Sequence, residues 1–111
     1  MEPLDWSDFE KVDMRVGTIL EAHDFPEAHN PSYQLIIDFG PLGIKKSSAQ
    51  ITLLYAKESL PGRQVIAVVN FAPKQIANFM SECLVLGVIG ENKEVTLLEP
   101  GLKVANGLKI A

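Results

Sequence analysis

Lys45, Lys46, Ser47, Ser48 and Gln50 gather two cations, two hydroxyls and a primary amide within six positions. Ammonium and hydroxyl donors suit phosphate oxygens, and the glutamine amide can both donate and accept, toward a phosphate or a nucleobase edge. A second polar group follows at Asn70, Lys74 and Gln75, with Phe71 beside it as a possible stacking surface. The stronger expectation for Phe71 is a plug at one end of the fold. His23 and His29 lie near Asp24 and Glu27, but two imidazoles on one stretch are too few for a metal centre and are expected to be exposed loop side chains. Cys83 sits in an apolar run and is expected to be a small buried hydrophobe. The chain has no glycine-rich phosphate loop, no G-x-S-x-G elbow and no H-E-x-x-H pair. Nor does it offer a nucleophile with a base and a third group to orient that base. The available chemistry is binding without catalysis, metal or cofactor.

The charge distribution sharpens this. The formal net charge is -4, yet residues 1–40 sum to -7, residues 41–80 to +4 and residues 81–111 to -1. Lys45, Lys46, Lys57, Arg63 and Lys74 are thereby predicted to form a local basic face on an acidic protein. With 47% apolar and 22% charged residues over 111 positions, the chain is expected to fold as one domain. A single cysteine excludes an internal disulfide and points to a reducing, cytoplasmic setting. The acidic opening MEPLDWSDFEK has no leader pattern, and the apolar runs are too short for a membrane span, so no membrane insertion is expected.

Strands must position these groups. Residues 4–11 predict one or two helical turns capped by Asp5 or Ser7, with Trp6 and Phe9 on one side. So short a helix needs its aromatic side pressed on the rest of the fold or on a partner. From Val12 the period becomes two: Val12, Met14, Val16, Thr18, Leu20 and Ala22 face one way, Asp13, Arg15, Gly17, Ile19 and Glu21 the other, with a bend expected at Gly17. Residues 23–32 predict a loop. A second strand follows with Tyr33, Leu35, Ile37 and Phe39 on one apolar face, and the Gly40–Gly43 turn leads into a third over residues 44–51. There Lys46, Ser48 and Gln50 share a polar face, opposite Lys45, Ser47, Ala49 and Ile51. Residues 52–60 predict a short helical or turn connection and residues 63–70 a fourth strand. Residues 71–81 are expected to be irregular, with Pro73 keeping a strand from following directly. A fifth strand over residues 83–89, interrupted at Gly87, turns back into residues 95–98. The weakly alternating tail from Leu102 predicts an edge or interface strand.

Many short antiparallel strands with little helix predict an all-β fold. A small closed barrel hides its edges without flanking helices, so a five-stranded OB-fold barrel is expected, with residues 1–11 and 99–111 as helical and strand-like extensions. Its second and third strands commonly form the ligand face, which is where Lys45 to Gln50 fall.

Asp13-Met14-Arg15-Val16-Gly17-Thr18-Ile19, Asp38-Phe39-Gly40, Ser48-Ala49-Gln50-Ile51, Tyr55, Val68 through Ile76 and Ser81 through Leu86 resemble, in that order, the tRNA-binding domain at the ends of methionyl-tRNA synthetases and in related tRNA-binding cofactors. The uninterrupted block from Gly43 to Ile51 is similar to the branch of that family consisting of this domain alone, the secretion-related chaperones. The resemblance runs from about Phe9 to Ile110. It departs from the synthetase pattern at Ala49-Gln50, where Gly-Leu is usual, and at Gln75, where a basic residue is common. It implies an OB-fold and a homodimer built with the terminal extensions, for which Trp6, Phe9, Leu102 and Val104 are the expected contacts. It also implies an RNA-binding face over Lys45, Lys46, Ser48, Gln50, Asn70, Lys74, Gln75, Ser81 and Glu82, with Arg15 at its margin.

Two functions follow as expectations. The first is non-catalytic binding of tRNA or another structured RNA, with Lys45, Lys46 and Lys74 on phosphates. The second is a chaperone role, holding unfolded or export-bound polypeptide in an apolar groove across the dimer, supported by the excess of apolar residues near turns, Phe39, Leu42, Phe71, Ile76 and Phe79 among them.

Overall fold

The computed structural model describes residues 1–111. Its helix α1 (Trp6–Glu10) is followed by β1 (Met14–Asp24), β2 (Tyr33–Asp38), β3 (Ile44–Ala49) and β4 (Gln64–Val68), with single 3-10 turns at Gly40–Leu42 and Lys57–Ser59. The second half carries β5 (Lys74–Ile76), β6 (Phe79–Ser81), β7 (Leu84–Val85), β8 (Gly87–Ile89) and β9 (Val95–Leu97). The main sheet has five antiparallel strands in the order β3-β2-β1-β4-β7. Its two ends meet where residues 81–83 lie along β3. The Glu82 N–H donates to the Lys46 carbonyl at 2.8 Å, and the Ser47 hydroxyl donates to the Cys83 carbonyl at 2.9 Å. The result is the expected all-β, OB-fold-like barrel with a short amino-terminal helix.

The alternation in β2 sets the core: Tyr33, Leu35, Ile37 and Phe39 are all buried, and Ile19, Ala49, Ile51, Leu60, Val65, Ala67, Cys83 and Leu97 close round them. β3 keeps its expected faces, with Ser47, Ala49 and Ile51 buried and Gln50 exposed.

β1 departs from the uniform alternation predicted for it. Ile19 pairs with Ile37, but Glu21 pairs with Ile36, so Leu20 is one residue too many. The bulge reverses the phase: Gly17 and Ile19 face the core before it and Ala22 packs on the core after it, while Leu20 is pushed outward. The irregularity therefore lies at Leu20 and not at Gly17. Gly17 serves close packing instead, since a Cβ there would stand 2.7 Å from the Phe39 ring.

Three other expectations are corrected. β1 runs on through His23 and Asp24, which were predicted to be loop. Residues 71–81 are not irregular: β5 starts directly after Pro73, whose fixed φ suits the entry to a strand, and turns through Ala77 and Asn78 into β6. Ala77 makes that turn at φ 51°, where glycine would be expected, so the sequence carries no turn signal there. The tail forms no regular strand. It clasps the first half of β1 through one bridge, Arg15 to Lys109, and through backbone bonds from Gly107 to Val16, Val16 to Leu108 and Ile110 to Met14.

Asn70, at the end of β4, ties the entry of β1 in place. Its side-chain Nδ2 donates to the Lys11 carbonyl at 2.6 Å, and its Oδ1 accepts from the Asp13 N–H at 3.0 Å. Asn70→Ala is expected to cost about 1–2 kcal/mol, because it removes both bonds from backbone groups that have no other partner. Urea denaturation would measure this, and a variant as stable as the parent would show the tether to be idle.

Candidate binding groove

The β5–β6 hairpin stands beside β3 as a separate two-stranded sheet. It is fixed at both ends: at the root the Ser48 N–H donates to Ser81 Oγ at 3.1 Å, and beside the turn the Phe79 ring packs on Phe25 with centroids 5.4 Å apart. Between the hairpin, β3 and the loop before β2 lies an open groove of about 560 Å³. Its polar lining includes Ser48, Gln50, Lys74 and Ser81, and its apolar wall is made by Phe71, Ile76 and Leu84. Phe71 is 59% exposed, so it is not the barrel plug it was expected to be. Its ring lines the groove instead. Of the apolar residues expected near turns, Phe39 and Phe79 are buried, Leu42 and Ile76 half-buried, and Phe71 exposed.

The structure separates the other candidate residues. Lys46 carries its ammonium over the Phe79 ring at 5.2 Å from the centroid, a cation–π contact that holds the hairpin to β3. Lys45 is on the opposite face of β3. The Gln75 amide donates to the Ala77 carbonyl at 3.1 Å, bracing the hairpin turn. Glu82 accepts from the Lys46 N–H through Oε1 at 2.9 Å and belongs to the barrel closure. Arg15 donates to Asp13 at 2.6 Å and to the Gly107 carbonyl at 3.0 Å, on the side held by the tail. Its hydrogen bond, and then its charge and that of Lys109, hold the Asp13 carboxyl below the usual aspartate range against the opposing effect of burial.

The basic face is only partly available. Lys57 is paired with Asp24 at 2.6 Å, which raises its pKa, and Arg63 lies 3.8 Å from Glu99 while stacking on Tyr55. Lys45, Lys46 and Lys74 make no ion pair.

Cys83 lines the inner end of the groove but is buried as expected. Burial pushes its thiol up to about 11, so the neutral form prevails at ordinary pH. No group of three or more His, Cys, Asp and Glu side chains is placed to hold a metal ion, and no helix is long and apolar enough to cross a membrane. Sequence reasoning missed Ala28, His29, Asn30, Ser32 and Leu84 as groove residues. Nothing local marks them, since the long-range closure of the barrel brings their segments together.

Trp6 is 80% and Leu102 81% exposed, whereas Phe9 and Val104 are half-buried, and α1 buries no residue at all. Val104 is clipped to its own barrel by Gln64, which donates to its carbonyl at 2.7 Å and accepts from its N–H at 3.1 Å.

Residues 14–109 match the family described as "Putative tRNA binding domain". Among solved structures, the chain is similar to the chaperone CsaA of Bacillus anthracis, with a TM-score of 0.95 and 49% identity over 99% of this chain and 100% of that one. The CsaA chaperone protein of Picrophilus torridus gives a TM-score of 0.92 and 53% identity over 98% and 100%. Among curated sequences, the methionine–tRNA ligase of Bdellovibrio bacteriovorus is 34% identical over 96% of this chain, which spans only 16% of that ligase.

Proposed function

Because this chain belongs to the tRNA-binding domain family, we propose that it is a non-catalytic binding module of the chaperone type, which holds unfolded or export-bound polypeptide in the groove beside the β5–β6 hairpin. One observation carries this reading. The groove exposes a continuous apolar wall, Phe71 with Ile76 and Leu84, in a chain that aligns end to end with two chaperone structures at about half identity. An aromatic side chain left this open in a small acidic protein costs solvation and marks a surface to be covered. The protein would act as a cytoplasmic homodimer, joined through Trp6, Phe9, Leu102 and neighbouring parts of the extensions. The nearly naked α1 supports this, because so short a helix needs a surface to cover it.

A second reading, binding of tRNA or another structured RNA, rests on Lys74, Ser48, Gln50 and Ser81 in the same groove, with Lys46 on the same face of β3 as Ser48 and Lys45 on the opposite one. The two readings differ in their response to salt. A module that neutralises phosphates loses affinity steeply as salt rises, whereas apolar capture changes little or strengthens. The test is fluorescence anisotropy of two labelled ligands, a permanently unfolded polypeptide and tRNA, at salt concentrations of about 50 and 200 mM. Saturable polypeptide binding that holds across both is the expected result. Binding of tRNA alone, at least tenfold weaker at the higher salt, would transfer the proposal to the second reading.

A further inference from the structure

The β5–β6 hairpin is joined by two residues, Ala77 and Asn78, so Ile76 and Phe79 are the hydrogen-bonded pair that closes the turn. In an antiparallel ladder the next pair, Gln75 with Met80, exchanges no backbone bonds, and the N–H and C=O of Gln75 point away from β6. β6 is the strand that packs on β3, while β5 pairs with no strand on its other side. The next outward-facing residue, Pro73, has no N–H, so this edge offers a single donor, flanked by acceptors. One donor between acceptors is enough to register one short extended segment. Lys74 and Ile76, which flank Gln75, project from the hairpin into the groove.

On the footing that the groove binds polypeptide, we propose that it takes its ligand as an added β-strand along the outer edge of β5. The Gln75 N–H and C=O bond the visiting backbone, and alternate side chains enter the groove against Phe71, Ile76 and Leu84. Reading backbone at one point and apolar bulk at every second residue suits a protein that must accept many sequences. Charge narrows the choice. The lining holds Lys74 and no carboxylate, so the segment is neutral or acidic and a lysine-rich one is disfavoured.

The experiment titrates the full chain against a fluorescein-labelled peptide of about nine residues in which leucine alternates with threonine and glutamate. It is repeated with a set of copies, each methylated at one backbone amide. The expected pattern has period two, with affinity falling by about tenfold at one or more alternate amides and holding at those between. Gln75→Pro and Gln75→Ala both lose the side-chain brace on the Ala77 carbonyl, but only the proline also removes the outward N–H, so Gln75→Pro is expected to bind the unmethylated peptide about tenfold more weakly than Gln75→Ala. A peptide that binds but is indifferent to methylation, or sensitive without periodicity, would overturn the strand mode and leave polypeptide capture intact. A chain that binds labelled tRNA but not the unmethylated peptide would overturn both.

Discussion

Truncating Phe39 to alanine is expected to lower the free energy of unfolding by about 3–5 kcal/mol, the largest single-residue effect in this fold. The ring is fully buried at the carboxyl end of β2 and lies against Gly17, which has no Cβ to obstruct it. The cost has two parts: the apolar surface lost from burial, and a cavity that β1 and β2 cannot collapse into because both are paired on either side. Small domains have about 5–15 kcal/mol in all, so this variant should be marginal. The converse change tests the same contact. Gly17→Ala would drive a methyl to 2.7 Å from the ring atoms and from Ile37, costing about 1–3 kcal/mol, and it should be partly relieved when combined with Phe39→Leu. Denaturant midpoints for the two singles and the double would measure the coupling. Simple additivity would mean that residues 17 and 39 are not the complementary pair described above.

The second large effect is on binding. Phe71→Ala is expected to weaken capture of an unfolded polypeptide roughly thirtyfold while leaving stability almost unchanged. The separation follows from exposure, since a ring that is 59% open contributes little to the core but offers most of its face to a ligand. Covering about 80 Å² of it at about 25 cal/mol per Å² is worth about 2 kcal/mol. Lys74→Ala in the same groove should reduce tRNA affinity and its salt slope, while weakening polypeptide capture only for acidic segments and leaving neutral ones bound as before. Anisotropy titrations on both variants, with thermal midpoints alongside, would read this out. A Phe71→Ala protein that binds polypeptide as tightly as the parent would remove the apolar wall from the mechanism.

Much of the barrel was legible in the sequence because its inner strands follow a strict period of two. Tyr33 through Phe39 and Lys45 through Ile51 each declared their faces, and both hold. What escaped prediction depends on partners distant in sequence. The Leu20 bulge exists only relative to β2, so β1 alone reads as regular alternation. The β5–β6 hairpin turns on an alanine at positive φ, a residue carrying no turn signal, between strands of three residues each. For Phe71, just beyond β4, a place at the barrel end and a place in a groove read alike in the sequence, and only the long-range packing that brings β3, β5 and Leu84 together decides for the groove. Among the polar candidates, the residue types pointed to a surface, but their neighbours decide their use. Ser48, Gln50, Lys74 and Ser81 reach the groove, whereas the side chains of Asn70, Glu82 and Arg15 are engaged in holding strands and tail together.

The clasp of the tail on β1 bears on how the chain comes to fold. Residues 14–18 need β4, some fifty positions downstream, and then residues 107–110, more than ninety positions downstream, before both flanks of the strand are paired. Contacts of such sequence separation form late, because the loop-closure entropy must be met before they can contribute. During synthesis on the ribosome the first strand therefore waits, with one edge bare, until nearly all of these residues have emerged. A module proposed to shelter unfinished polypeptides must itself pass through a long unfinished stage, during which its own leading strand is such a polypeptide.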